Sequence, residues 1–451
     1  RFTFQVRRSK LNDDRMELRD FRHSPAAAKW RKLRQSTGPE ARMATHLKSD
    51  DSLAQLDVSR MEMWRDDAWR APFQRLLSDA PVHRCTDSIF GPYWSITRHT
   101  DIMAVEAHPE IFSSSFEYGG ITIADIMGDM SLPQFIAMDR PKHTGQRRVV
   151  APAFGPAEIT RMAAEIRLRT TELLDTLPIG EEFDWVDTVS IELTTGMLAI
   201  LFDFPWADRR LLTLWSDWGG DIEAAVDPAR SHIRHQHLLD MTEYFDRLFA
   251  ERKARAPTGD LISMMVHSDA MGDMEFKERT GNLILLIVGG NDTTRNSMSG
   301  AVHAFHQYPD QWDKLRADPS LIPGAVPEVI RWQTPLSHMR RTANHATDIA
   351  GTPIASGDKV ILWYIAANRD ESVFPDAEQL DITRANARRH LSFGFGIHRC
   401  VGARLAELQL QILFEEMVAR KWRVRVTGDP AYVPQSFVHG YTRLPVTIDR
   451  G

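Results

Sequence analysis

Cysteine is nearly absent: the 451 residues hold only Cys85 and Cys400. Two thiols so far apart build neither a disulfide framework nor a cysteine-rich zinc site, and their scarcity suits a reducing, cytoplasmic setting. Long hydrophobic runs are missing as well. Stretches such as Leu283–Val288 fall far short of the roughly 20 apolar residues a membrane-spanning helix needs, so no membrane span is expected. The first residues carry no apolar signal-peptide core. Neither sign of charge dominates, since 55 Lys and Arg against 61 Asp and Glu leave −6. With 43% apolar and 26% charged residues, the chain has the composition of a folded core and not of a disordered polymer. Its length would allow three ordinary domains, yet beyond residue 50 it shows no internal repeat and no low-complexity linker.

The charge is unevenly placed. Residues 1–50 carry 13 Lys and Arg against 6 Asp and Glu, a balance of +7 that leaves −13 for the remainder. A basic arm can bind nucleic acid or an anionic surface, but no recognised nucleic-acid module follows it, and none is expected as a partner. Residues 1–42 read as a basic extension and 43–451 as a single domain. Within that domain, Ala80–His83 and Tyr93–Thr97 read as short strands around Gly91-Pro92, and 360–364 as another. Most of 140–335 has helical periodicity, as in Ile159–Leu177. The fold class expected is mainly α with small β-sheets. His232, His235 and His237 cluster locally but lack the acidic or cysteine companions of a metal site.

Cys400 stands in Phe393-Gly-Phe-Gly-Ile-His-Arg-Cys-Val-Gly402, directly before the strong helix former Ala403-Arg-Leu-Ala-Glu-Leu-Gln-Leu410. At a helix N-terminus, free amides and the macrodipole favour a thiolate. Gly394, Gly396 and Gly402 would let the backbone approach something flat. These residues admit three readings: a buried structural cysteine, a weak dinucleotide loop, or the proximal ligand of a haem iron. A second segment asks for explanation. Asn282–Ser299 (NLILLIVGGNDTTRNSMS) is apolar on all sides, as a fully buried helix is. Yet it places Gly289 and Gly290 in its interior, at about 1 kcal/mol each, followed by Asp292 and Thr293.

The Cys400 segment fills every fixed position of FGxGxHxCxG and so resembles the haem-binding signature of the cytochrome P450 superfamily. Gly289–Thr293 resembles its acid–alcohol motif. Glu328 and Arg331, with Arg384, resemble its ExxR triad, a structural element. The resemblance implies a triangular helical domain around haem b, with Cys400 as the axial iron ligand. It implies that Thr293 hydrogen-bonds dioxygen and Asp292 relays protons. It places Phe393, Gly394 and Gly402 around the haem, with His143, Arg147, Arg341 and His398 at the propionates. Arg140 departs from the family's usual proline before the His143 helix.

Further stretches (Leu285–Gly300, Ile330–Leu336, Arg404–Gln409, Gly440–Leu444) are similar to the soluble bacterial alkane hydroxylases of this superfamily. That similarity implies terminal hydroxylation of medium-chain n-alkanes or ω-hydroxylation of fatty acids. Selectivity for a terminal C–H bond calls for a narrow apolar tunnel. Its expected lining is Ile121, Ile123, Ile126, Met127, Leu132, Phe135, Val288, Gly289, Leu336 and Phe437. Electrons must come from outside, since the chain carries neither a cysteine cluster nor a flavin domain. A ferredoxin and its NAD(P)H-dependent reductase are the expected partners of a monomer, docking on Arg147, Arg148, Arg399 and Arg404. Three alternatives remain: hydroxylation of terpenoids, steroids or other bulky apolar molecules; peroxide-driven hydroxylation; and a haem sensor or store without turnover.

Overall fold

Helical periodicity and short alternating segments are both realised, with boundaries set by capping and strand pairing. A computed structural model describes residues 53, 56–125, 132–227 and 229–450. The expected extension 1–42 lies outside them, as do Ile126 and Met127. The described residues from 56 onward belong to one compact unit. None of the described helices is long and apolar enough to cross a membrane.

The larger sheet runs in the order Val82–Cys85, Tyr93–Ile96, Lys359–Trp363, His338–Ala343, Phe112–Ser113. Tyr93–Ile96 pairs parallel with Lys359–Trp363 and the other pairs are antiparallel. The central strand, Lys359–Trp363, is buried at every residue. It stops one residue earlier than the sequence suggested, because His338, the first residue of its partner, lies opposite Trp363; Tyr364 then starts the short helix Tyr364–Ala367. Cys85 closes a strand and is buried, its thiol 3.8 Å from the Asp87 carbonyl. A smaller sheet joins Phe183–Asp184, Pro445–Arg450 and Trp422–Val426.

The helix expected at 159–177 is Pro156–Asp175; it begins earlier because proline suits the first helical position, where its missing N–H has no partner to lose. The helix around Gly289 is longer than its apolar stretch, Phe276–Gln307, about 48 Å at 1.5 Å per residue. It packs against Ile191–Phe202, Arg210–Gly220, Ile322–Gln333 and Ala403–Ala419, which explains why nearly all its sides are apolar.

Glu328 and Arg331 lie on helix Ile322–Gln333 with their side chains wholly buried. Arg331 forks onto Glu328 at 2.7 and 2.8 Å and also donates to the carbonyls of Asn368, Ala377 and Gln379. Arg384 reaches the same carboxylate at 3.1 Å, and the Asp381 amide donates to it at 3.0 Å. The segment 368–384, almost without regular structure, is thereby held through its backbone. Glu328→Gln removes the anion from between two buried guanidinium groups. It should lower the unfolding free energy in urea by about 3–5 kcal/mol. Glu158→Gln, which breaks an exposed pair with Arg161, should cost under about 1 kcal/mol. Equal effects would contradict a structural role for the triad.

Candidate active site

The long helix is buried along most of its length, but Leu285, Gly289 and Thr293, four residues apart, are open on one stripe. That stripe lines a cavity of about 290 Å³, with Phe393, Gly394, Cys400 and Gly402 also in its wall. A Cβ on Gly289 would meet nothing within 4 Å, whereas one on Gly290 would come within 2.7 Å of Leu198 Cδ2. Gly289 therefore opens backbone to the cavity. Gly290 also lines the cavity, and its missing side chain lets helix Ile191–Phe202 pack close through Leu198.

Thr293 Oγ1 donates to the Gly289 carbonyl at 2.8 Å, so its oxygen faces the cavity region as an acceptor. Asp292 is buried; its Oδ1 accepts from Ser216 (2.8 Å) and Arg295 (2.9 Å). Arg295 in turn donates to the half-exposed Asp217 at 2.9 Å. Burial pushes the Asp292 carboxyl above its ordinary range, against the pull of Arg295 and with a further push from Asp217.

Cys400 precedes helix Ala403–Ala419 and its N–H donates to the Phe393 carbonyl at 2.8 Å. Its side chain is open to the cavity yet deep in the protein. Burial pushes the thiol up, outweighing the Gly402 amide and the charges of Arg147 and Arg399. The helix N-terminus alone thus does not make a thiolate here; a coordinated cation would deprotonate it outright.

The loop glycines also answer to neighbouring segments. Gly394 and Gly396 both have φ of +66°, and a Cβ on Gly396 would collide with the Glu106 carbonyl. On Gly394 it would meet Tyr364 and Glu106 side-chain oxygens at 3.3 and 3.6 Å. Gly402 lies against Phe154. Glu106, at the end of helix His99–Ala107, was not identified from sequence, although a carboxylate beside Ile102 and Val105 on a buried face is a signal. Its Oε2 accepts from the Phe395 amide at 2.8 Å, and its Oε1 from Tyr364 (2.7 Å) and Arg341 (2.8 Å).

Beside the loop, the rings of His143 and His398 sit 4.3 Å apart, both buried, and none of their four nitrogens has a hydrogen-bond partner. Burial and the neighbouring Arg147 lower His143 to about 4, and burial with Arg341 lowers His398 further. Arg147 donates to the Arg399 carbonyl and, with Arg341 and His398, lines the cavity. His143 stands behind His398 on helix Lys142–Val150, which forms despite Arg140. Orphaned donors, two arginines and an open thiol within one cavity wall fit a flat macrocycle with a sulfur-ligated metal and pendant carboxylates.

Of the expected substrate contacts, Ile121, Leu132, Phe135, Val288, Gly289, Leu336 and Phe437 line the cavity. Ile123 does not: it is completely buried, and its carbonyl accepts from Lys359. Leu132 and Phe135 are set in place by Asn282, whose Oδ1 accepts from the Phe135 amide at 2.8 Å. Gly281, with no side chain, lets Pro133 lie on the long helix.

The family model described as Cytochrome P450 matches residues 224–431. The chain is 35% identical to linalool 8-monooxygenase of Pseudomonas putida, across 87% of this chain and 98% of that protein. It is 32% identical to the methyl-branched lipid omega-hydroxylase of Mycobacterium tuberculosis, across 88% and 95%. Among solved structures, cytochrome P450-153 from Novosphingobium aromaticivorans superposes with a TM-score of 0.84 at 57% identity, over 87% of this chain and 99% of that one. CYP153D17 from Sphingomonas sp. PAMC 26605 does so with 0.84 at 58%, over 87% and 99%. Cavity, loop and relatives agree, and the chain belongs to the cytochrome P450 family as a haem b-dependent monooxygenase.

Proposed function

We propose that residues 43–451 form one haem domain that hydroxylates the terminal carbon of medium-chain n-alkanes or the ω-carbon of fatty acids, in which Cys400 would ligate the iron. The observation that carries this reading is one cavity wall: the Cys400 loop, the Gly289–Thr293 stripe and the apolar Leu132, Phe135, Leu336 and Phe437 share it. The 57% identity to cytochrome P450-153 and the lipid omega-hydroxylase relative support it.

Bound haem supplies the oxygen-activating chemistry, which puts one atom of O2 into the substrate and returns the other as water. The residues around it divide the remaining work. His143, Arg147, Arg341 and His398 take the propionates, the two imidazoles through their unpartnered nitrogens. Gly289 leaves open space in the cavity beside the helix. Thr293 has spent its hydrogen on Gly289, so its oxygen accepts a hydrogen bond and holds a water in place. Asp292 moves protons. Burial and Asp217 raise its proton affinity, and Arg295 holds it in place by bridging it to the half-exposed Asp217. An intact acid–alcohol pair favours use of O2 over peroxide.

Substrate is held by shape. The apolar side chains exclude water and leave a chain end as the part that reaches the reacting position. Electrons are delivered by a ferredoxin and its NAD(P)H-dependent reductase to a monomer. The exposed Arg148, Arg399 and Arg404 form the docking surface; Arg147, turned to the cavity, drops out of it. The similarity to linalool 8-monooxygenase makes a terpenoid alcohol the second substrate to assay.

With a ferredoxin–reductase pair, octane should give 1-octanol as the main product. Leu336→Ala, which widens the wall, should raise the 2-octanol fraction several-fold at comparable total turnover, read by gas chromatography. No terminal alcohol from octane and none from decanoate would sink the reading, and an unchanged isomer ratio would remove Leu336 from the determinants.

A further inference from the structure

Among the described residues, three arginines line the cavity. Arg147 and Arg341 belong to the Cys400 end, beside His398, and Arg234 does not. Arg234 lies in the first turn of helix Ser231–Lys253 and is 6% exposed. Its Nε donates to the Trp218 carbonyl at 3.0 Å and one Nη to the Gly219 carbonyl at 3.2 Å. These belong to the last turn of helix Arg210–Gly220, where a cation is favoured by the helix dipole. Two carbonyls are not a counter-ion, however, and no carboxylate among the described residues stands within ion-pair distance of this guanidinium. Asp221, whose charge reaches it, is already engaged: one oxygen caps the Ala224 amide at 2.8 Å and the other pairs with Arg230. Burial lowers the Arg234 pKa from the ordinary arginine value, as befits a cation short of a partner.

A buried guanidinium without an anion is costly in an otherwise apolar enclosure. Two of its five N–H groups are spent on the carbonyls. The remaining three include one on each terminal nitrogen, which is what an end-on, two-point carboxylate pair uses. The place suits a head group. Gly219 and Gly220, at the helix end that accepts from Arg234, pack on Val288 and Asp292 of the long helix, and Arg234 shares its cavity with these residues and with Thr293.

We propose that Arg234 receives the carboxylate of a chain-like acid, whose methyl end is thereby directed toward Thr293; the preferred substrate class is the medium-chain fatty acid. This rests on the terminal-hydroxylase reading of the same cavity and narrows it. Arg234 is a specificity residue, not a group that touches the reacting carbon.

The test compares decanoate with methyl decanoate, equal in chain but lacking the charge, by calorimetry on the haem-loaded protein. Wild type should bind the acid at least about tenfold more tightly than the ester. Arg234→Gln, which can keep a hydrogen bond to a helix-end carbonyl, should bring that ratio close to one, and Arg234→Lys should retain part of it. A ratio near one in wild type, or one unchanged in Arg234→Gln, overturns the proposal. Acid and ester weakened equally in both variants would mark a packing role and overturn it too. Failure of the hydroxylase reading shows separately, as absence of terminal alcohol from both octane and decanoate in wild type.

Discussion

Glu328 holds two arginines in a place that water does not reach, and the Cys400 loop depends on that arrangement. Arg331, fixed by the carboxylate, grips the Asn368 carbonyl. The Asn368 side chain then donates to Ser392 and accepts from the Leu391 amide, at 2.8 and 2.7 Å. Ser392 is next to Phe393, whose carbonyl receives the Cys400 amide. A buried ion pair contributes little net stability over an apolar replacement, but its loss on one side is expensive. Here it fixes the backbone of a segment with few regular hydrogen bonds of its own.

A second buried carboxylate completes the hold from the other side. Glu106 accepts from the Phe395 amide between two left-handed glycines and from Arg341, so one side chain sets both the loop and a wall cation. Burial drives the Glu106 carboxyl upward in pKa, while Arg341, Tyr364 and the Phe395 amide pull it down. The glycines of the loop are thus required by a neighbouring helix as much as by any cofactor. Across the cavity the long helix answers with an open stripe, where Gly289 and Thr293 are four residues apart and face the same way.

Much of this was legible. A ten-residue motif, an acid–alcohol pair and a Glu–Arg spacing each join one residue type to one chemistry, so Cys400, Asp292, Thr293, Glu328 and Arg331 stand out by local pattern. Seven of the expected substrate contacts line the cavity for a similar reason, since apolar residues flank those motifs. What escaped depends on contacts between distant segments. Glu106 and Phe395 are 289 positions apart, and Gly290 is explained only by Leu198. Ile123 looks like its neighbour Ile121, but the bend they share, held by the Lys359 bond to the Ile123 carbonyl, leaves Ile123 in the core. Arg234 is one basic residue in a polar stretch, and only the helix packing reveals that it points inward.

The central claim is that Cys400, as thiolate, carries the haem in this loop. It is tested most directly by the absorption spectrum of the reduced, carbon monoxide-bound protein, wild type beside Cys400→His. Wild type should show the long-wavelength Soret band that thiolate ligation produces, and Cys400→His should lose that band and show the shorter-wavelength one of an imidazole ligand. A wild-type spectrum already of the imidazole type, or a thiolate band that survives in Cys400→His, would contradict the account.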